Sequence, residues 1–316
     1  MGLGIIDIPD FGHDREPLDP AILKALPRGC KVQSVESHGV SFWNKIGRID
    51  VTLLDGTSKS FFIKVFAWKN CKAAVEGEYA SLCTAHQAAP EFVTKPVGWG
   101  SYSTVPGAYF LICDFHDMSD EMPDPVAFAS HLVRLHRVGR SPEGKFGFPV
   151  TTYRGNLPQY VGWEDRWEVF FAKSMRFALG LEAKSRKSRN REFDLLADVL
   201  VNVVIPRLLR PLESGGQSIT PCLVHGDLWY ANSGVDTNNG KIRVFGLSSF
   251  YAHNEYEFGQ WMVPNHRFGD EYIAAYRRFT TISEPEDEFP DRLDLYRLRF
   301  DIHALALYGT DTLREQ

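Results

Sequence analysis

Hydrophobic residues between about Lys31 and Leu111 come in short runs that are rich in β-branched and aromatic side chains. The runs are KVQSVES, RIDVTLL, SFFIKVF and AYFLICDF, and an Asp55-Gly56 pair separates the second run from the third. Such runs are typical of strands, and Asp-Gly is a common turn between paired strands. This part of the chain is therefore predicted to form an antiparallel sheet.

One stretch inside this region has a helical pattern instead. The segment CKAAVEGEYASLCTAHQAA contains no Pro and is rich in Ala, Glu and Leu. Ala74, Glu78, Leu82 and Ala85 recur at a spacing that places them on one side of a helix. The pattern predicts a small lobe made of a sheet and one helix.

After Met118 the pattern changes to that of longer helices. The predicted helical segments are PVAFASHLVRLHRVG, WEDRWEVFFAKSMRFALGLEA, RNREFDLLADVLVNVVIPRLLRPL, RFGDEYIAAYRRFTTI and DRLDLYRLRFDIHALALYG. A hairpin of NSGV and KIRVF, joined by TNNG, lies between the third and the fourth. The sequence predicts an α+β protein with an N-terminal extension over 1–17, a β-rich lobe over 18–113 and a helical lobe over 114–316.

Composition and charge limit the function. The chain has 316 residues, and its 40 acidic against 35 basic residues give a formal charge of −5, which provides no general attraction to nucleic acid or to an anionic membrane. The five cysteines are scattered without a CxxC pair. The chain does not open with a basic and apolar leader, and no apolar run reaches the length of a membrane span. A soluble protein of the reducing cytoplasm is expected.

The stretch HGDLWYAN contains the strongest chemical signal. Asp227 and Asn232 have the D-L-x-x-x-N spacing at which one group handles the proton of an attacking hydroxyl and the other holds a metal on nucleotide phosphates. A carboxylate can accept that proton, and an amide oxygen one short loop later can bind Mg²⁺. The alternative is that His225 and Asp227 only brace a turn, but Asn232 and the following hairpin favour phosphoryl transfer.

Lys64 lies in the middle of the apolar run SFFIKVF, where its ammonium group needs an anion or water. Kinases use such a strand lysine on the phosphates of ATP and hold it with a glutamate on the next helix. Glu76 and Glu78 both lie on that helix, and Glu78 is predicted as the partner because it shares a side with Ala74 and Leu82. A lysine that extends to solvent from an edge strand is the alternative.

The segment SHGVSFW opens the first predicted hairpin and contains His38, Gly39 and Ser41. A Gly and small hydroxyl residues allow backbone N–H groups to approach phosphate oxygens. This signal is weak, because a single Gly39 outside a G-x-G-x-x-G pattern is also typical of an ordinary turn.

Several segments together resemble one family. They include SHGVSFW, SFFIKVF, EGEYASL, FLICDFHDM, HLVRLHR, GKFGFPVTTYRGNLPQ, HGDLWYAN and FYAHNEYEFGQW, and the matching stretches extend over roughly residues 18–310. On these motifs the chain resembles the fructosamine-3-kinase and ketosamine-3-kinase (protein-ribulosamine 3-kinase) family, and it looks most like the fungal members. That family is related to aminoglycoside and choline kinases, so the resemblance implies a protein-kinase-like fold with two lobes.

The resemblance also implies cofactors and residue roles. ATP and Mg²⁺ would be the cofactors, with Asp227 as the catalytic base, Asn232 as a magnesium ligand, and Lys64 with Glu78 as the phosphate clamp. Adenine would bind at the CDFHDM segment. The remaining residues implied for nucleotide binding, from SHGVSFW and CDFHDM, are His38, Gly39, Ser41, Asp114, Phe115 and His116.

The implied substrates are ketosamines, the sugar adducts on lysine side chains, including those of glycated proteins. Phosphorylation at the sugar 3-hydroxyl makes the adduct unstable, so the reaction is a deglycation step. His225 and Trp229 flank Asp227 and are assigned to the substrate side. Phe146 and Phe148 either line the sugar side of the cleft or pack in the core.

The sequence departs from the family pattern at one position. Family members carry a metal-binding Asp after the hairpin strand, and alignment on the downstream FYAHNEYE places Gly246 there, whereas alignment of VFG with a kinase D-F-G places Val244 there. Neither residue has a carboxylate, and Glu255 and Glu257 are the nearest anions in the sequence. Loss of the metal anchor is expected to reduce turnover far more than nucleotide affinity.

Three interpretations follow. The first is a ketosamine kinase with ordinary or reduced activity. The second is a pseudokinase that binds a nucleotide or a glycated ligand without transferring phosphate. The third is a phosphotransferase of the aminoglycoside or choline kinase type that acts on another hydroxylated amine. The motifs favour the first.

Overall fold

A five-stranded antiparallel sheet forms the first part of the protein in the computed structural model, which describes residues 18–39, 41–186, 188, 190–262 and 267–309. The predicted extension over 1–17 lies outside these residues. The strands follow the order β1-β2-β3-β5-β4 across the sheet. The elements are α1 (Pro20–Ala25), β1 (Lys31–Ser37), β2 (Lys45–Thr52), β3 (Ser58–Phe66), α2 (Lys72–Ala88), β4 (Pro96–Ser101) and β5 (Tyr109–Asp114).

Different helices cover the two faces of this sheet. On one face Ile63 and Val65 of β3 pack in a small core with Ile22 of α1. On the other face Leu111 of β5 belongs to the large core that includes α2. Because neighbouring side chains of a strand point to opposite faces, Lys64 is directed at α2.

The second part of the protein is mainly helical. Its helices are α3 (Pro125–Val138), α4 (Trp167–Ser185), α5 (Arg191–Val199), α6 (Ile205–Leu209), α7 (Asp270–Arg277) and α8 (Phe289–Tyr308), and a π-helical turn over Leu200–Val204 joins α5 to α6. Three short antiparallel pairs lie between them: β6 (Tyr153–Arg154) with β7 (Leu157–Pro158), β8 (Cys222–Val224) with β11 (Phe250–Ala252), and β9 (Ser233–Val235) with β10 (Ile242–Val244). The last pair is the predicted hairpin.

One large hydrophobic core fills the helical part and reaches α2 and β5. Trp167 of α4 is fully buried and donates its Nε1–H to Tyr296 Oη of α8 at 2.9 Å. Phe146 and Phe148 lie in the same core and are 1% and 3% exposed. These two phenylalanines therefore pack inside the protein and do not line a sugar site.

The predicted elements and the observed ones differ mainly where the chain is short of β-forming residues. Strand β4, PVGWGS, was not predicted because a Pro and two Gly weaken its strand pattern. It lies at the edge of the sheet, where a Pro without an N–H is tolerated. Among the helices of the described residues, none combines the length and the apolar character needed to cross a bilayer.

Candidate active site

The predicted ion pair between the sheet and α2 is present. Lys64 Nζ lies 2.9 Å from Oε1 and 2.7 Å from Oε2 of Glu78, and both side chains are mostly buried. The ammonium also lies 5.1 Å from the centre of the Phe66 ring. Glu76 instead contacts Lys72 on the same helix at 3.5 Å. Both oxygens of Glu78 therefore hold Lys64, and the lysine does not extend along the surface to solvent.

The connection between β1 and β2 lies next to the end of β5. The ring of His38 contacts the ring of Phe115 edge-on at 4.8 Å. Gly39 has a φ of +76°, a backbone conformation that favours glycine. Ser41 Oγ accepts a hydrogen bond from the N–H of Trp43 at 3.4 Å. The roles of His38, Gly39 and Ser41 in nucleotide binding stay predictions.

The predicted adenine segment is braced by its own side chains. Asp114 pairs with Lys59 at 2.8 Å, and His116 Nδ1 contacts a carboxylate oxygen of Asp236 at 3.0 Å. The N–H groups of Asp114 and Phe115 already donate to carbonyl oxygens of the protein. An adenine ring therefore needs other peptide groups of this segment.

His225 supports the catalytic loop from inside the protein. Its ring is fully buried, Nε2–H donates to the carbonyl oxygen of Phe245 at 3.0 Å, and Nδ1 accepts the N–H of Asp227 at 3.2 Å. Burial lowers the pKa of His225, which keeps the ring in the neutral form that these two hydrogen bonds require. The assignment of His225 to substrate contact is therefore wrong, because a sugar cannot reach a ring that is enclosed in this way.

A buried carboxylate fixes the same loop. Glu257 accepts the N–H of His225 at 2.5 Å with one oxygen and the N–H of Gly226 at 3.1 Å with the other. Gly226 has a φ of +80°, and a Cβ at this position would lie 2.2 Å from the carbonyl oxygen of Ser248. Only glycine fits between these neighbours, so the turn before Asp227 requires glycine at this position.

Asp227 is held by three side chains and is 22% exposed. Its Oδ1 accepts from Arg154 Nε at 3.0 Å and from Gln260 Nε2 at 2.9 Å. Asn232 Nδ2 lies 3.2 Å from Oδ2 and donates to the backbone oxygen of Asp227 at 2.7 Å. Oδ1 accepts two hydrogen bonds and Oδ2 accepts one longer bond, so Oδ2 is the less engaged oxygen and the better one to receive a proton.

The sequence reasoning missed Arg154 and Gln260. Both lie in segments that carried the family resemblance, TTYRGNLPQ and EYEFGQW, but neither has a period or spacing that relates it to Asp227. Arg154 sits in β6, and Gln260 lies in the 3₁₀ segment Asn254–Met262. Proximity in the folded chain is the only signal that reveals them.

Gly246 lies beside Asn232, as predicted. A Cβ built on Gly246 would lie 2.8 Å from Asn232 Oδ1, and the backbone at this glycine has a φ of +68°. The amide nitrogen of Asn232 is turned towards Asp227, so its oxygen is the atom that faces position 246.

These donors do not suit a magnesium ion held by the protein. Mg²⁺ prefers carboxylates together with phosphate oxygens, and position 246 adds no carboxylate to the amide oxygen of Asn232. Within the described ranges, no three His, Cys, Asp or Glu side chains come together as a metal cluster. Glu257 is engaged by the loop N–H groups, and Glu255 pairs with Arg292 at 2.8 Å, so neither glutamate replaces the missing carboxylate.

Trp229 is the substrate-side candidate that stays partly exposed. It follows Asp227 by two residues, and its ring contacts that of Tyr230 edge-on at 5.1 Å. The backbone at Leu228, between Asp227 and Trp229, is fixed by Trp261, whose Nε1–H donates to the carbonyl oxygen of Leu228 at 2.9 Å. The role of Trp229 in sugar binding stays a prediction.

Comparison with known sequences identifies the family of this chain. The model of the family described as fructosamine kinase matches residues 35–316. The chain belongs to the fructosamine kinase family. This family member is 29% identical over 255 residues to the chloroplastic protein-ribulosamine 3-kinase of Oryza sativa subsp. japonica, covering 80% of this chain and 69% of the rice protein. It is 30% identical over 259 residues to the ketosamine-3-kinase of Mus musculus, covering 75% and 79% of the two chains.

Solved structures share the fold. A provisionally assigned fructosamine-3-kinase from Thermobifida fusca YX-ER1 superposes with a TM-score of 0.70 at 20% identity, covering 91% of each chain. An aminoglycoside phosphotransferase in a ternary complex with AMP-PNP and hygromycin B superposes with a TM-score of 0.59 at 14% identity, covering 92% of each chain. The fold is therefore the protein-kinase-like α+β fold that the sequence resemblance implied.

Proposed function

We propose that this fructosamine kinase family member transfers the γ-phosphoryl group of ATP to the sugar 3-hydroxyl of ketosamines, the ribulosamine and fructosamine adducts on protein lysines. The observation that carries the proposal is the orientation of Asp227, whose Oδ1 accepts from Arg154 and Gln260 while Oδ2, with one longer bond from Asn232, is the oxygen better placed for a hydroxyl. The names of the rice and mouse relatives support the choice of substrate class.

In the proposed reaction the sugar 3-oxygen attacks the γ-phosphorus. A new oxygen–phosphorus bond forms, the bond from the γ-phosphorus to the bridging oxygen breaks, and ADP leaves. The proton of the hydroxyl passes to Oδ2 of Asp227. Arg154 and Gln260 keep the carboxylate in place, and Lys64, held by Glu78, binds phosphate oxygens of ATP.

ATP is the proposed phosphate donor, and Mg²⁺ accompanies it as the counterion of the nucleotide. Asn232 Oδ1 is the protein oxygen that would contact that ion. Since the donors around it do not form a metal site of their own, no step of the transfer is assigned to the metal.

A turnover assay tests this proposal. The protein is incubated with ATP and fructosyl-lysine or ribulosyl-lysine, and ADP release and the phosphorylated sugar are measured, with choline and an aminoglycoside panel as alternative acceptors. We expect a ketosamine 3-phosphate to form. Transfer to choline or an aminoglycoside alone, or no transfer to any acceptor by folded protein, would overturn the proposal.

A second candidate is a pseudokinase that binds a nucleotide or a glycated ligand without turnover. Gly246 is the observation that favours it, because the position beside Asn232 lacks a carboxylate. ATP binding measured by calorimetry, together with no ADP release in the presence of a ketosamine, would identify this function.

A cytoplasmic location and glycated proteins as partners belong to the same proposal. All five cysteines are free thiols, which suits a reducing compartment. Among them, burial raises the pKa of the thiols of Cys113 and Cys222, which makes them poorly reactive. Fluorescence microscopy of the tagged full chain tests the location, and an organellar signal would contradict it.

A further inference from the structure

Two aromatic side chains from distant parts of the chain meet beside the site of Asp227. Trp43 lies in the connection between β1 and β2, and Tyr308 is the last residue of α8. Their ring centroids are 6.2 Å apart, and the rings are tilted by 35°. We refer to Trp43 and Tyr308 as the aromatic bridge. It joins the predicted nucleotide loop to the C-terminal helix.

The turn between β6 and β7 places the bridge next to the catalytic loop. Gly155 in this turn has a φ of +59°, and a Cβ there would lie 2.9 Å from Trp43 Nε1 and 3.0 Å from Leu307 Cδ2. The residue before it, Arg154, donates to Oδ1 of Asp227 at 3.0 Å. Trp43 and Leu307 of α8 therefore pack against the turn at Gly155. Arg154, which precedes this glycine, holds the proposed base Asp227.

The pKa of Tyr308 depends on the charges of the site. Burial and then the negative charge of Asp227 raise the pKa of the Tyr308 phenol, and the positive charge of Arg154 opposes that rise. The side chain is nevertheless 49% exposed, and Trp43 is only half-buried. Both rings of the bridge therefore leave part of their surface open to solvent.

We propose that the aromatic bridge forms one wall of the sugar site and binds the apolar C–H face of the ketosamine, so that the 3-hydroxyl is directed at Asp227. This inference rests on the proposed function. Aromatic rings supply a large, rigid and partly polar contact surface, which suits a ligand that has both C–H and hydroxyl groups. Trp43 also belongs to the predicted nucleotide loop. A bound nucleotide therefore increases the affinity for the ketosamine, and a bound ketosamine increases the affinity for the nucleotide.

The test measures ketosamine affinity by calorimetry, with fructosyl-lysine as the probe, in the presence and absence of AMP-PNP. Trp43→Ala and Tyr308→Ala remove the two rings. Tyr308→Phe keeps the ring and removes the hydroxyl. Phe42→Ala is the matched control, because Phe42 is the neighbour of Trp43 and is 82% exposed. AMP-PNP affinity without ketosamine and thermal unfolding are recorded for every variant.

We expect AMP-PNP to tighten ketosamine binding to the native protein about fivefold or more. Trp43→Ala and Tyr308→Ala are expected to weaken ketosamine binding about three- to tenfold, and Trp43→Ala also removes the coupling. Tyr308→Phe and Phe42→Ala are expected to bind like the native protein. The Michaelis constant for ketosamine should rise in the two alanine variants, with a smaller change in kcat.

Two outcomes would contradict the role of the aromatic bridge in sugar binding and leave the proposed function unaffected. The first is native-like ketosamine affinity in both alanine variants. The second is an equal loss of AMP-PNP affinity in Trp43→Ala without ketosamine, which would show that Trp43 only shapes the nucleotide loop. A native protein that binds AMP-PNP but no ketosamine contradicts the proposed function itself, and the sugar assignment falls with it.

Discussion

The two ends of the proposed cleft are built in different ways. At the sheet end, Lys64 and Glu78 make a self-contained ion pair between one strand and one helix. At the helical end, Asp227 is held by Arg154 and Gln260 from two other parts of the chain. The buried side chains of Glu257 and His225 accept hydrogen bonds from the backbone of its loop.

This difference explains how the site keeps its shape without the expected metal-binding carboxylate. The hydrogen bonds that position Asp227 come from side chains and backbone groups of the protein, and none of those described requires residue 246. A loop that is fixed by a buried polar network tolerates the loss of a metal ligand, because the ligand is not part of the support. A metal ligand at residue 246 can therefore be lost or added without moving Asp227.

The largest expected effect is on the proton acceptor. Asp227→Asn should reduce phosphotransfer by about 10²- to 10⁴-fold, because it removes the base, while nucleotide affinity stays close to native. Steady-state kinetics with a ketosamine and calorimetry with ATP measure the two quantities. Thermal unfolding of the variant controls for damage to the loop. Turnover that survives in folded Asp227→Asn would show that another group is the base.

Gly246→Asp is expected to have the next largest effect, in the opposite direction. It restores the missing carboxylate, so turnover should rise by about 10²- to 10³-fold, with tighter magnesium binding. Asp tolerates a positive φ better than most residues, and the contact at 2.8 Å is with the end of the Asn232 side chain, which can move.

Gly246→Asn is the matched control for this change, because it has the same size and backbone strain without the charge. Magnesium affinity is measured by titration with AMP-PNP present, and kcat is measured beside it. If the Asp and Asn variants bind magnesium equally, the carboxylate at 246 is not a metal ligand.

A buried histidine, His253, should make the stability of the protein depend on pH. His253 precedes the 3₁₀ segment that carries Glu257, and burial, with a contribution from Arg292, lowers the pKa of His253 from 6.5 to about 4 while Glu255 opposes the shift. Between pH 6.5 and about 4, His253 is protonated in the unfolded chain but not in the folded protein. The stability of the folded protein therefore falls as the pH drops through this range. The loss is expected to be about 3 kcal/mol.

Urea denaturation at pH 7, 5.5 and 4.5 measures this loss. His253→Gln should be less stable at pH 7, because His253 contacts Tyr296 and Ser283 at 2.9 Å each, but its free energy of unfolding should depend less on pH. An unchanged pH dependence in His253→Gln would assign the effect to other buried histidines.

The smallest expected effect is at the sheet end of the cleft. Glu78→Gln leaves Lys64 without its anionic partner, and ATP affinity should fall about tenfold because the lysine is no longer held towards the phosphates. Glu76→Gln is the control, since Glu76 contacts Lys72 on the helix surface. Calorimetry with ATP compares the two variants, and equal affinities would remove Glu78 from the phosphate clamp.

Features that depend on residues close together in the chain could be predicted from the sequence alone. Alternation along β3 directs Lys64 at α2, and the helical period places Glu78 on the facing side, so their pairing could be predicted. The spacing of Asp227 and Asn232 and the hairpin after them are equally local, and they carried the family resemblance. These features depend on residues that are close in the chain, and their periods are fixed by backbone geometry.

The distant groups that share the site could be identified only from the folded protein. Arg154 and Gln260 reach Asp227 because separate segments fold against the catalytic loop, and no local period records that approach. The same holds for His225, which looks like a substrate ligand in the sequence but is buried between Phe245 and the loop backbone. Burial and long-range hydrogen bonds depend on the packing of the whole chain, so the final form of the candidate site had to be read from the fold.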